Sequence, residues 1–157
     1  HPTYSFGTQR EFFDLETGPG RLINVAADGN CFYNSLSVLL TGSELKENAG
    51  IIRRAITEYI ESEVELNEMG IPWHGWWEMF HPGQTLYDSS GNENHKEPAK
   101  SASERHKWGS NVDFLAAAKL FQINVIVCSP NPQRKEDFGI QYVWNIYTPD
   151  MLDTVSI

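Results

Sequence analysis

Cysteine is scarce in this chain, with only Cys31 and Cys128 among 157 residues. Two distant cysteines cannot build a disulfide framework, and neither lies in a paired-Cys zinc spacing. Free thiols in the cytoplasm or another reducing compartment are therefore expected. Base is scarce too. Lys and Arg number 12 against 21 Asp and Glu, for a formal charge of −9. Phosphate backbones are bound by clustered cations, so nucleic acid is excluded as the main partner. An acidic surface suits a partner with a basic face, although acid in excess also serves solubility alone. No run approaches the roughly 18 uninterrupted apolar residues of a membrane span. No basic, apolar leader with a small-residue cleavage site opens the sequence. It begins at His1 rather than Met, so an excised or processed piece of a longer protein is the expectation.

Core-building material is plentiful. Apolar residues make up 40% of the chain, with eight Phe, six Tyr and five Trp, more than a disordered chain carries. The length suits one domain, and residues 1–157 are read as a single domain without repeats. A short helix is expected around residues 9–15, followed by the breaker Gly18-Pro19-Gly20 and an extended lead-in over 21–26. Asp28-Gly29-Asn30 signals a turn into a helix over about 30–40, with Phe32, Leu36, Leu39 and Leu40 at helical spacing and Gly42 as its stop. Ser43 is the expected cap of a longer helix bearing Ile52, Ala55, Ile56, Tyr59, Ile60 and Val64 on one face, ended by Gly70 and Pro72. Trp73, Trp76, Trp77 and Phe80 suggest a short helix, chiefly core, with a share available as an exposed partner patch. Residues 81–107 turn to Gly, Ser, Asn, Pro and charge, which reads as a long loop. A helix starting near Ser110 follows, then a buried β-branched strand over 123–128 bounded by Ser129-Pro130, then a strand over 141–147 stopped by Pro149. Helices first and strands late give an α+β class.

One segment carries most of the chemistry: Ala27-Asp28-Gly29-Asn30-Cys31-Phe32-Tyr33-Asn34-Ser35-Leu36. It sets a cysteine in the first turn of a helix, directly after a tight turn. Free N–H groups and the positive end of the dipole gather there, and they are expected to lower the thiol's pKa. The same N–H groups can face an oxyanion formed in acyl transfer. Gly29 permits a close backbone approach, and Asn30 tolerates unusual dihedrals. On physics alone, such a cysteine is as well a small buried hydrophobe, and Asp28 a plain N-cap.

Asp-Gly-Asn-Cys followed by an aromatic, a polar pair and Ser-Leu resembles the Cys-loop of the ovarian-tumour (OTU) deubiquitinases, a papain-like cysteine protease family. A second block in the right order, Lys107-Trp108-Gly109-Ser110-Asn111-Val112-Asp113-Phe114-Leu115-Ala116-Ala117-Ala118, resembles that family's Trp-Gly segment leading into a helix and then a strand. Arg53 and Arg54 on a long intervening helix also fit. The similarity covers roughly residues 21 to 144. It implies a papain-like α+β fold with a small central β-sheet flanked by helices. It implies Cys31 as the nucleophile that attacks an isopeptide carbonyl, with Asp28 beside it supporting the oxyanion region. The amides of Gly29, Asn30 and Cys31 would form the oxyanion hole. Trp108 and Gly109 would shape a channel for the extended C-terminus of ubiquitin or a ubiquitin-like modifier. No cofactor is implied, and polyubiquitin chains join the expected partners. Read without the resemblance, Trp108 is plain core, Gly109 a turn and Asp113 an early-helix carboxylate.

The general base departs from the pattern. The family's His lies on a late strand after the Trp-Gly block, whereas the last histidine here, His106, precedes Trp108. Three explanations compete. The chain ends short of that strand, a histidine from elsewhere such as His1 takes the place, or the domain binds ubiquitin without cleaving it. His74 is read as packing or surface. His81, His95 and His106 belong to the loop with a spacing that fits no zinc pattern, so no metal is expected. Cys128 is read as inert and buried. An acyltransferase or general peptidase with the same Cys geometry is a third, weaker reading.

Overall fold

The turn at Asp28-Gly29-Asn30 does run into a helix. A computed structural model describes residues 23–62, 70–81, 83–84, 95–131 and 141–150. Helix α1 spans Cys31–Thr41, α2 Lys46–Ser62 and α3 Trp73–Met79. A 3-10 turn covers Arg105–Lys107, and helix α4 spans Asn111–Phe121. Strands β1 (Val125–Asn131) and β2 (Gln141–Tyr147) pair antiparallel, with Val125 opposite Tyr147 and Asn131 opposite Gln141. The expected α+β class is what the chain adopts: among the described residues, helices plus a small two-stranded sheet. The helix expected at 9–15, the first two residues of the lead-in at 21–26, and Val64 lie outside the described residues.

Helix ends follow local chemistry. α1 stops at Gly42, whose φ of 78° is the left-handed conformation glycine accepts freely, and its N–H closes on the Val38 carbonyl at 2.9 Å. Ser43 does not cap the next helix, which opens at Lys46; its hydroxyl accepts from the Leu45 N–H at 3.3 Å in the connecting turn. α4 begins one residue after Ser110, where the Asp113 carboxylate reaches back to the Ser110 N–H at 2.8 Å and to its hydroxyl at 2.9 Å.

The core forms where α2 meets α1, α3 and α4. Ile52, Ile56 and Ile60 are the buried stripe of α2, four residues apart and so close to one helical turn. Burying each such side chain stabilises the fold by about 1.5–3 kcal/mol. α4 answers with Val112, Leu115, Ala116, Ala117 and Ala118, all fully buried, and its run of alanines lets neighbouring elements approach closely. Trp73, Trp76 and Trp77 are 1–2% exposed, and Trp73 packs edge-on against Trp76 at 5.2 Å. They are core, and the three tryptophans offer no exposed patch.

α4 also supports the sheet. Val125 and Tyr147 turn inward, while their neighbours Ile126 and Ile146, opposite one another, are about half exposed. The alternation is the two-residue period of a strand with one covered face. The fully buried strand expected over 123–128 is therefore corrected. Pairing starts at Val125 and runs through Pro130 to Asn131, and Cys128 is only partly buried.

Candidate active site

Cys31 is the first residue of α1 and is exposed. Its sulfur faces the N–H groups of Cys31 and Phe32, which favour the thiolate. The net shift nevertheless runs upward, correcting the expectation of an acidified thiol. Although the residue as a whole reaches solvent, desolvation of the sulfur is the largest influence. The Asp28 carboxylate adds to it, and together they outweigh the two amides and the Arg53 cation.

The loop ahead of Cys31 is held from several sides. Asp28 Oδ1 accepts from the Asn30 N–H at 2.9 Å and from Asn34 Nδ2 at 3.1 Å. The Asn30 amide hydrogen, expected at an oxyanion hole, is thus engaged by Asp28 in this structure. Gly29 has a φ of +91°, and a Cβ there would lie 2.6 Å from the Ser101 carbonyl oxygen and 2.7 Å from the Ala99 Cβ. Glycine is required here twice over, by conformation and by space. The Asn30 side chain turns inward. Its Oδ1 accepts from the Ala99 N–H at 2.7 Å and from Arg53 at 2.8 Å, and its Nδ2 donates to the Ala99 carbonyl at 3.0 Å.

The Trp-Gly block lies against the same helix. A Cβ on Gly109 would approach the Phe32 ring to 2.9 Å and the Phe114 ring to 3.1 Å, and those two rings pack at 4.6 Å. Glycine lets this segment sit beside the residue that follows Cys31. Trp108 is not the core residue its type suggests. It is 41% exposed, donates from Nε1 to the Ala102 carbonyl at 3.1 Å, and carries the Arg105 guanidinium over its ring.

A buried polar cluster lies beneath, which the sequence reading missed. Asp113 is fully buried, and its Oδ1 meets His95 Nε2 at 3.1 Å and the Tyr33 hydroxyl at 3.3 Å. Burial pushes the Asp113 carboxyl upward, but His95, His81 and the Ser110 N–H outweigh it and hold it to about 2. Burial holds the His95 imidazole below its ordinary range, against the upward pull of Asp113. His95 Nδ1 has no hydrogen-bond partner among the described residues, so a proton there would be a buried donor with nothing to bond. His95, read as a loop histidine, is core. His81 stacks on Trp77 at 3.7 Å and also packs into the interior. The signals were present. Arg53 and Asp113 are charges set inside otherwise apolar helical stripes, and a buried charge requires partners.

None of the described histidines hydrogen-bonds the Cys31 sulfur. His81 is engaged with the Trp77 and Trp108 carbonyls and His95 with Tyr33 and Asp113, while His74 and His106 are exposed. His1 lies outside the described residues. A cavity of about 170 Å³ opens beside the loop ahead of Cys31, lined by Asp28, Asn30, Lys46, Arg53 and Lys100 among others. Cys31 is not part of its wall, so it is not the place where an acyl group meets the sulfur.

The family model described as OTU-like cysteine protease matches residues 26–156. The chain belongs to this family. No curated protein and no solved structure gives a match. Membership makes the chain a cysteine-peptidase domain. No helix among the described residues is long and apolar enough to cross a membrane.

Proposed function

We propose that this OTU-family domain is a deubiquitinase: a thiol hydrolase that cleaves isopeptide bonds to ubiquitin or a ubiquitin-like modifier, with Cys31 as nucleophile. The observation that carries the reading is an exposed cysteine at the mouth of α1, its sulfur faced by two first-turn amides and set in a loop braced on both sides. The thiolate attacks the isopeptide carbonyl carbon, and the first-turn N–H groups stabilise the oxyanion. The C–N bond breaks, the lysine amine leaves with a proton, and the modifier's C-terminal acyl group stays on Cys31 as a thioester. Water then adds, releasing the carboxylate and restoring the thiol. Asp28 shapes the loop through the Asn30 amide, and Trp108 and Gly109 border the approach of an extended C-terminal tail. A histidine base would take the Cys31 proton and return it to the amine; the described histidines do not supply it.

A second reading is favoured by that last fact together with the upward-shifted thiol: a domain that binds ubiquitin without cleaving it. Ubiquitin carrying a C-terminal electrophile separates the two. Covalent labelling at Cys31, abolished in Cys31→Ala, and release of ubiquitin from isopeptide-linked diubiquitin support the hydrolase. Saturable binding of ubiquitin without labelling supports the binding module. Neither labelling nor binding sinks both.

A further inference from the structure

Arg53 stands in the apolar stripe of α2 and is 1% exposed. Its guanidinium is always charged, and its hydrogen bonds reach three separate stretches of chain. It donates to Asn30 Oδ1 at 2.8 Å, to the Lys107 carbonyl at 3.0 Å and to the His95 carbonyl at 3.1 Å, and it lies 4.1 Å from the centre of the Tyr33 ring. Asn30 immediately precedes Cys31, and Lys107 immediately precedes Trp108-Gly109. Asn30 is the first link outward, since its amide side chain also takes both the N–H and the C=O of Ala99.

We propose that Arg53 is a positioning residue for Cys31, acting through Asn30 and tying the nucleophile loop to the Trp108-Gly109 segment. Stability alone gives a poor reason for the charge. An apolar side chain of similar volume in a core stripe is often as stabilising as a buried ion, or more so. A guanidinium offers what an apolar group cannot: several donors in a fixed planar fork that set the angles between three irregular segments. Its cation also favours ionisation of the sulfur, opposing Asp28. That Cys31 is a nucleophile rests on the reading above; its placement by Arg53 does not.

The test therefore avoids ubiquitin. In a Cys128→Ser background, the alkylation of Cys31 by iodoacetamide is followed across pH for the parent, Arg53→Lys and Asn30→Ala. Ile60→Val serves as a control that weakens α2 away from the link. Arg53→Lys keeps the cation and loses the fork; Asn30→Ala keeps Arg53 with its two carbonyls and removes the link. Both are expected to melt cooperatively while changing the Cys31 rate at fixed pH by about tenfold, the factor carried by one hydrogen bond to a charged group, with Ile60→Val leaving it unchanged. If one variant does not fold, the other decides. Rate profiles that superimpose on the parent's overturn the proposal, as does an equal change in Ile60→Val. Loss of cooperative melting in both variants also overturns it, since the link would then serve the fold rather than the thiol. Failure of the parent to react with a ubiquitin electrophile bears on the hydrolase reading alone.

Discussion

Replacing Asp113 by alanine should be among the most damaging single changes to the stability of this domain. The carboxylate is fully buried and is held from an ordinary 3.8 down to about 2, which corresponds to about 2.5 kcal/mol favouring the ionised folded form. The substitution also removes the acceptor shared by the Tyr33 hydroxyl and His95 Nε2, leaving those two groups only each other at 3.1 Å, and a buried donor left without an acceptor costs about 1–3 kcal/mol. These contributions overlap, so a loss of about 3–5 kcal/mol at pH 7 is expected. At about 2–4 °C per kcal/mol for a domain of this size, the melting temperature should fall by roughly 6–20 °C. The pH dependence has a definite sign. A carboxyl whose folded pKa is depressed contributes fully above 3.8 and loses that contribution as pH falls through about 2. Thermal melts followed by circular dichroism from pH 7 to pH 2 should therefore show the gap between wild type and Asp113→Ala narrowing only below about pH 4. A deficit under one degree at pH 7, or one that stays constant down to pH 2, would refute the reasoning.

Three further outcomes follow from the same geometry. Gly29→Ala should cost about 2–4 kcal/mol, because a methyl group meets the Ser101 carbonyl and Ala99 in a left-handed backbone; a denaturant melt indistinguishable from wild type contradicts it. Asp28→Asn should move the pH midpoint of Cys31 alkylation downward, since the Asp28 charge helps push the thiol up, and an unmoved or higher midpoint would count against that electrostatic account. His95 is held neutral by burial, so the unfolded chain takes up a proton that the folded chain refuses as pH falls below the ordinary imidazole value. Wild-type stability should thus decline from pH 7 to pH 5 more steeply than that of His95→Gln, and parallel slopes in melts across that range would rule this out.

Several elements could be read from local pattern alone. The turn at Asp28-Gly29-Asn30 depends on backbone preferences and the helix after it on apolar spacing, so α1 appears where expected and stops at Gly42. The strand over 141–147 and the helix after Ser110 likewise follow from alternation and capping chemistry. The tryptophans of α3 are buried as their size suggests. The family was legible in two short blocks because each encodes a close approach that a larger residue would prevent: Gly29 against Ser101 and Gly109 against Phe32.

Burial and charge environment were decided elsewhere. The first turn of α1 does pull the Cys31 thiol down, and that much is local, yet packing around the sulfur and the side chain of Asp28 reverse the sum. His95, Arg53 and Asp113 lie 18 to 60 residues apart in sequence. Their pairing exists only once α2, α4 and the segment at 95–107 have been brought together. Sequence determined which residues could be nucleophile, turn and cap, because those properties depend on neighbours a few positions away. Tertiary structure decided which ionisable groups were desolvated and which charges faced them, because both depend on distances that no local pattern contains.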